Sequence, residues 1–293
     1  MVEKTTSRPA SESWDLVIKP TNSIFDLKLK EIWRYRDLLA LFVKRDFVAL
    51  YKQTILGPLW NVIQPIFTTI MFLLVFGKIA NIPTDGIQPL LFYMSGITIW
   101  NYFSTSLVNT SNTFVANASI FGKVYFPRLV LPLSIVVSNI VRFAIQFALL
   151  LVMMVYMRLT HNTAFYFGPS WLLIPVLVLL MAGLGLGLGI IISSLTTKYR
   201  DFAVLMTFAV QLAMYATPVA YPLSFLLGKS YKWVIVANPL TPILEAFRYA
   251  LFHSPEQHFL FSSLWYSLAF MVTALGIGLI LFNSVERSFM DTV

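Results

Sequence analysis

Gly228, Lys229 and Ser230 place a glycine, a lysine and a hydroxyl in the order that closes a phosphate-binding loop. Such a loop also needs a glycine five residues before its second glycine, so that backbone amides can surround the phosphates. Position 223 is Leu, and the cradle is incomplete. The three histidines, His161, His253 and His258, offer no metal site either. The last two are five apart, off a common helical face, and no acidic set stands beside them. With no cysteine, thiolate ligands, thiol nucleophiles and disulfides are excluded. Carboxylates are scarce within the apolar stretches, which leaves paired-carboxylate catalysis little to work with. The chain is therefore not expected to be an enzyme, and no cofactor or metal is expected on it.

Two ionisable residues stand out because their surroundings are apolar. Arg142 falls near the middle of a long apolar run, where a charge is costly and is kept for structure or function. Glu245 is the acidic residue in another apolar segment. An Arg142–Glu245 pair would be a structural lock. Alternatively, Arg142 faces the protein interior or a water path.

The aromatic content, 25 Phe, 13 Tyr and 7 Trp, suggests a further chemistry. Trp60, Phe67, Tyr93, Trp100, Tyr102, Phe103, Phe208 and Tyr215 lie in apolar stretches near small polar residues. Ser95, Thr98, Asn101, Ser104, Ser106 and Asn109 stand among them. A wall of rings, hydroxyls and amides suits sugars, because rings stack on C–H faces while Ser, Thr and Asn meet the hydroxyls. The same polar groups could instead bond between helices. Gly183, Gly185, Gly187 and Gly189 form a comb with two overlapping GxxxG spacings, fit for close helix contact within one subunit or between two.

The elements that position these residues follow from composition. The chain is 58% hydrophobic and 12% charged, against about 25% charged for a soluble domain. Its apolar runs approach the roughly 20 residues that cross a bilayer. An all-α polytopic membrane protein is expected, with spans near 58–77, 88–111, 130–157, 171–195, 204–222 and 263–283. The connection 223–262 is apolar but broken at Asn238-Pro239 and Pro242, which suits two short helices that dip into the bilayer without crossing. Residues 1–22 read as a polar, disordered cytoplasmic tail, residues 23–57 as an interface-helix region, and residues 58–293 as the transmembrane domain. No apolar core follows the start, so a cleaved secretory signal is not expected.

Within the interface region, Ile32, Tyr35, Leu39, Phe42, Val43, Phe47 and Leu50 share one helical arc, and Arg34, Asp37, Lys44, Arg45 and Lys52 the other. Arg36 and Asp46 intrude on the apolar arc. The pattern predicts a helix over 31–53 lying in the membrane interface. The net charge is +8, and ten of the 21 basic residues precede residue 53. Beside membrane spans this bias sets topology and attracts anionic lipid, so no nucleic acid partner is expected. With both termini cytoplasmic, the inner side gains those ten plus Lys123, Arg128, Lys198, Arg200 and Arg287. The outer side holds Lys78, Arg158, Lys229, Lys232 and Arg248.

Four stretches carry a resemblance: KRDFVALYKQTILGPLWNVIQP at 44–65, TTKYRDF at 196–202, ATPVAYP at 216–222 and NPLTPILEAFRYALF at 238–252. In this order they resemble the membrane subunit of ABC-2-type polysaccharide exporters, the O-antigen, capsule and teichoic-acid permeases. The resemblance implies a channel between two copies of the chain in the inner membrane. It implies two cytoplasmic ATPase subunits that bind ATP and Mg, and a lipid-linked polysaccharide, O-antigen first, as cargo. It implies that Asn117, Ile120, Phe121, Gly122 and Lys123, with Arg200 and Asp201, contact the ATPases. It further implies that the glycan's pyrophosphate is taken in near Arg45, Lys52, Gln53, Thr54 and the Leu56-Gly57 turn. Arg45 and Lys52 could equally snorkel to lipid phosphates. Alternatives are an ABC-2 exporter of a small lipid or drug, a membrane-embedded glycosyl or phosphate transferase, and a passive channel.

Overall fold

The computed structural model describes residues 29–52, 57–121, 126–161, 168–196, 199, 201–226, 228–230, 232–254 and 261–289. The polar tail and its expected disorder lie outside these residues. Among the described residues every regular element is helical. The interface region forms α1 (Leu29–Arg34) and α2 (Arg36–Tyr51), separated by a turn at Tyr35. Then come α3 (Trp60–Phe72), which runs on as a π-helix over Leu73–Ile79, and α4 (Pro89–Ser111). Two short helices follow, α5 (Thr113–Ala116) and α6 (Ala118–Phe121). The second half holds α7 (Val130–His161), α8 (Leu173–Thr196), α9 (Asp201–Tyr215), α10 (Lys232–Val236), α11 (Leu240–Phe252) and α12 (Ser263–Phe289).

Four helical stretches are long and apolar enough to cross a bilayer: Trp60–Ile79, Val130–Thr160, Pro169–Thr196 and Ser263–Val285. The expected spans at 88–111 and 204–222 come out differently. α4 has 23 residues, about 35 Å of helix, but carries many hydroxyls and amides. α9 has 15 residues and stops at Tyr215, where the backbone enters the turns of the ATPVAYP stretch. The reason for the first difference is position. α4 is the central helix, packed against α3, α7, α8, α9 and α11, so its surroundings are protein. Residues 91–100 are all buried. Its hydroxyls and amides lower its hydropathy, and they are tolerated there because the neighbours are helices of the same chain.

The hydroxyls of α4 mostly bond to carbonyls of their own helix: Ser95 to Phe92 at 2.9 Å, Thr98 to Met94 at 2.8 Å, Ser111 to Val108 at 2.7 Å. Amides bridge to α7, with Asn101 Nδ2 donating to Gln146 Oε1 at 3.2 Å and Asn139 Nδ2 to Ser106 Oγ at 3.4 Å.

The glycine comb places α8 between two neighbours. Gly185 and Gly189 face α4, and a Cβ at Gly189 would stand 2.6 Å from Thr110 Cβ. Gly183 and Gly187 face α12, and a Cβ at Gly187 would stand 2.9 Å from the Leu275 amide nitrogen. The comb thus serves contacts on two sides within one chain. Small residues let helices gain dispersion contact where lipid offers no hydrophobic drive between them.

α2 is not a simple two-faced helix. Ile32, Tyr35, Leu38, Leu39 and Phe42 pack on a cluster formed by Phe114, Phe126, Leu129, Val130, Leu131 and Phe282. The Phe42 and Phe126 rings lie 5.6 Å apart. Trp33 of α1, and Leu41, Phe47 and Val48 of α2, are exposed. One apolar stripe therefore docks the helix on its own chain, and a second is left for surroundings such as the membrane interface.

Candidate functional site

Polar groups gather at both ends of α4. At its N-terminal end α11 is buried on every residue except Tyr249, and it carries Glu245 and Arg248 one turn apart. The Arg248 side chain is fully buried, with Nη1 3.4 Å from Glu245 Oε1. Nη1 also donates to Pro218 O at 2.7 Å, and Nη2 to Val219 O at 2.8 Å. The guanidinium stands 3.6 Å from the centroid of the Phe92 ring. Gly96 makes room for it, since a Cβ there would be 2.7 Å from Nη2. One planar cation therefore holds together α4, the 216–221 turn and α11, a task that suits the fixed fork of arginine.

The NPLT start of α11 adds to this assembly. Asn238 Nδ2 donates to Ala216 O and Thr217 Oγ1, while its Oδ1 accepts from the Leu240 amide, capping the helix. Ser267 Oγ and Tyr266 OH, from α12, donate to Pro239 O and Ala237 O. Sequence reasoning missed Arg248 by counting it as an outer loop charge. The signal available was an Arg three residues after the Glu in an otherwise apolar helix, a spacing that pairs them on one face.

The two residues of the expected Arg142–Glu245 lock each take part in a described assembly. Glu245 pairs with Arg248 beside Phe92, whereas Arg142 lines a cavity with Asn109 and Asn112.

That cavity is an open cleft of about 450 Å³ at the C-terminal end of α4. α2 gives it Arg45, Asp46 and Ala49. α4 and the segment beyond give Asn109, Asn112, Ala116 and Asn117, and α7 gives Ile135, Ser138, Asn139 and Arg142. Asp46, which spoils the apolar arc of α2, is placed by this cleft. Its carboxylate accepts from Arg45 Nε at 2.9 Å and Nη2 at 2.7 Å, and the Arg45 guanidinium stacks on Phe42 at 4.8 Å. Asn117 Nδ2 donates to Thr113 O and Asn112 Nδ2 to Val108 O, so these amides are held by the helix end. The Ser138 hydroxyl is shut off from solvent without a hydrogen-bond partner.

The remaining sequence-selected residues divide by location. Tyr93, Trp100, Tyr102 and Phe103 are at most 3% exposed and pack among helices of this chain. Trp60 and Phe67 on α3, and Phe208 and Tyr215 on α9, are each more than half exposed. Lys52 is exposed at the end of α2, and Gly57 opens the turn into α3 at φ 45°, a left-handed value that favours glycine. Asn117 is buried, Ile120 is half-buried against the α2-docking cluster, Phe121 ends α6, and Asp201 is exposed in the first turn of α9. Gln53, Thr54, Leu56, Gly122, Lys123 and Arg200 lie outside the described residues. No group of three metal-ligating side chains is found among the described residues.

From α2 to the end of α11, residues 37–252 match the ABC-2 type transporter family. The chain belongs to that family. Arg248 with its partners, and the cleft, lie inside the matched stretch. Among curated relatives, the O-antigen export system permease protein RfbA of Klebsiella pneumoniae is 27% identical over 255 residues, covering 87% of this chain and 94% of the relative. The protein of the same name from Myxococcus xanthus is 29% identical over 230 residues, covering 77% and 84%. This ABC-2 chain is accordingly a membrane protein of the transporter class, and the α2-to-α11 framework is what it shares with that family.

Proposed function

We propose that this chain is the membrane subunit of an ATP-driven exporter that moves a lipid-linked polysaccharide, O-antigen first among candidates, across the inner membrane. The observation that carries the reading is similarity to O-antigen export permeases along most of both chains. The missing phosphate cradle supports a division of labour in which two ABC ATPase subunits bind ATP and Mg. In this reading α4 and α9 cross the bilayer together with the four apolar stretches, α10 and α11 form short helices that do not cross, and both termini are cytoplasmic. The segment around Asn117, Ile120, Phe121, Gly122 and Lys123, with Arg200 and Asp201, meets the ATPases.

The channel lies between two copies. Only exposed side chains can line it, which selects Trp60, Phe67, Phe208 and Tyr215 and leaves the α4 aromatics to stiffen the wall from behind. Open rings give sugars many weak stacking contacts, so the chain is guided without being trapped.

The natural absence of cysteine allows a direct test. In the assembled transporter, Phe67→Cys and Phe208→Cys should each form a disulfide-linked dimer with mild oxidant, and a polysaccharide substrate should slow the reaction. Tyr93→Cys, buried inside one chain, should not cross-link. Cross-linking of Tyr93→Cys but of neither exposed position would remove this channel.

A further inference from the structure

α9 rests lightly on the rest of the chain. It packs on α4 and α8, yet of its 15 residues only Val210 is buried. Phe208, Leu212 and Tyr215 make an exposed stripe along one side. Met206, Ala209, Val210 and Ala213, at i, i+3, i+4 and i+7, make the other. That second stripe meets a cavity of about 230 Å³ instead of a closely packed wall. α4, α8, the 238–240 segment and Phe270 of α12 line the remainder. None of the described lining residues is charged. The amide among them, Asn238, is engaged at both atoms, since Nδ2 donates to Ala216 O and Thr217 Oγ1 while Oδ1 accepts from the Leu240 amide. The lining therefore offers water little to hold it, and apolar cavities of that kind stay dry. One of roughly 150 Å³ already takes up a molecule the size of benzene. The cavity is open on one side, where Phe270 stands across from α9. Phe270 belongs to a stretch long and apolar enough to cross a bilayer, and it is exposed there with Val272 and Ile277. The mouth is thus continuous with the lipid-facing surface of a membrane span, and hydrocarbon is what surrounds it.

We propose that this cavity holds one acyl chain of a bilayer phospholipid, which enters between α9 and Phe270 and supports α9 from behind. An empty space there would leave its lining atoms without dispersion partners on one side, and a flexible run of methylenes supplies them. The lining recognises hydrocarbon and nothing else, so the occupant is the hydrocarbon that bulk phospholipid provides. Ala209 and Ala213 leave the room that the chain fills, because a larger side chain at either position would project into the same space. The site is independent of the transport reading, since it depends on the bilayer and on the packing of α9 alone.

The test uses the full chain in its membrane assembly and a phosphatidylethanolamine that carries a diazirine on one acyl chain. The protein is equilibrated with the probe lipid in vesicles, extracted, washed in lipid-free detergent and then irradiated, and adducts are mapped by peptide mass spectrometry. Adducts at Met206, Leu184 and Leu188 should survive the wash, while those at Val152 and Leu179, exposed on α7 and α8, should fall about tenfold. Ala209→Phe should cut the surviving adducts by a similar factor. Ala213→Leu, a smaller filling change, should cut them as well and serves where Ala209→Phe assembles poorly. Loss of the cavity adducts in step with those at Val152 and Leu179 overturns the proposal, as do undiminished adducts in both filled variants. Cavity adducts that are absent before the wash, together with a disulfide-linked dimer of Phe270→Cys, would also overturn it, because a second copy would then cover the mouth. Glycan export by the filled variants, measured separately, reports on the transport reading and leaves this result unchanged.

Discussion

Arg248→Met should leave little folded transporter in membrane extracts. The substitution keeps some bulk but removes the cation that Glu245, Pro218 O and Val219 O share. Breaking a buried ion pair by deleting one partner costs about 3–5 kcal/mol, because the other charge stays behind without compensation. Two carbonyls also lose their donors, at about 1–3 kcal/mol each where no water replaces them. Arg248→Lys should recover only part, since one ammonium cannot reproduce the fork that reaches two carbonyls and the Phe92 ring at once. A double change to Arg248→Met with Glu245→Leu should be milder than Arg248→Met alone, because it removes the stranded charge. Thermal unfolding of detergent-solubilised protein, followed by size-exclusion chromatography, reads all three. An Arg248→Met protein as stable as the parent would show that the guanidinium is not the staple described here.

The second large effect is expected at Gly187, and the contrast with Gly183 is what makes it informative. Both face α12. At Gly187 an added Cβ meets backbone, 2.9 Å from the Leu275 nitrogen and 3.0 Å from the Ala274 carbonyl carbon. Backbone cannot turn aside, so α8 and α12 must separate, and Gly278, whose own Cβ would stand 2.9 Å from Gly187 O, lies in the same contact. At Gly183 the added Cβ meets the sulfur and Cγ of Met271, atoms of a flexible side chain and not of backbone. Overpacking of a fitted contact costs typically about 1–3 kcal/mol. Gly187→Ala should therefore lower the unfolding temperature markedly, while Gly183→Ala, which also gains helix propensity, should change it little. Equal effects at the two positions would mean that α8 is held on α12 by something other than close backbone approach.

These two sites also show what was readable in the sequence. The helical class, the polytopic pattern and the broken connection after α9 were all legible, because lipid leaves a strong mark on composition and Pro leaves one on helix ends. The comb of glycines was legible as a packing device, but its two-sidedness was not. Residues two apart on a helix face different ways, so alternate teeth meet α4 and α12. Glu245 was singled out for its apolar surroundings, yet its contact with Arg248 was overlooked, because Arg248 was read as a charge of an outer loop and not as part of a buried helix. The α4 aromatics looked like a channel wall because polar, ring-rich helices suit both a channel and a helix surrounded by other helices. Burial decides between those uses, and burial is a property of the neighbours. Asp46 appeared as a blemish in an amphipathic pattern, and the cleft with Arg45 and Arg142 gives it a place.

The proposed transport needs separate subunits, because the phosphate loop begun by Gly228-Lys229-Ser230 is incomplete and ATP must be hydrolysed elsewhere. The most direct measurement reconstitutes the chain, with and without its ABC ATPase subunits, in vesicles loaded with lipid-linked polysaccharide, and follows glycan reaching the far leaflet. The account predicts ATP-dependent transfer only in the complete assembly, with hydrolysis stimulated by the glycan lipid and none by the chain alone. ATP hydrolysis by the isolated chain, or glycan transfer that proceeds equally without the ATPase subunits, would contradict it.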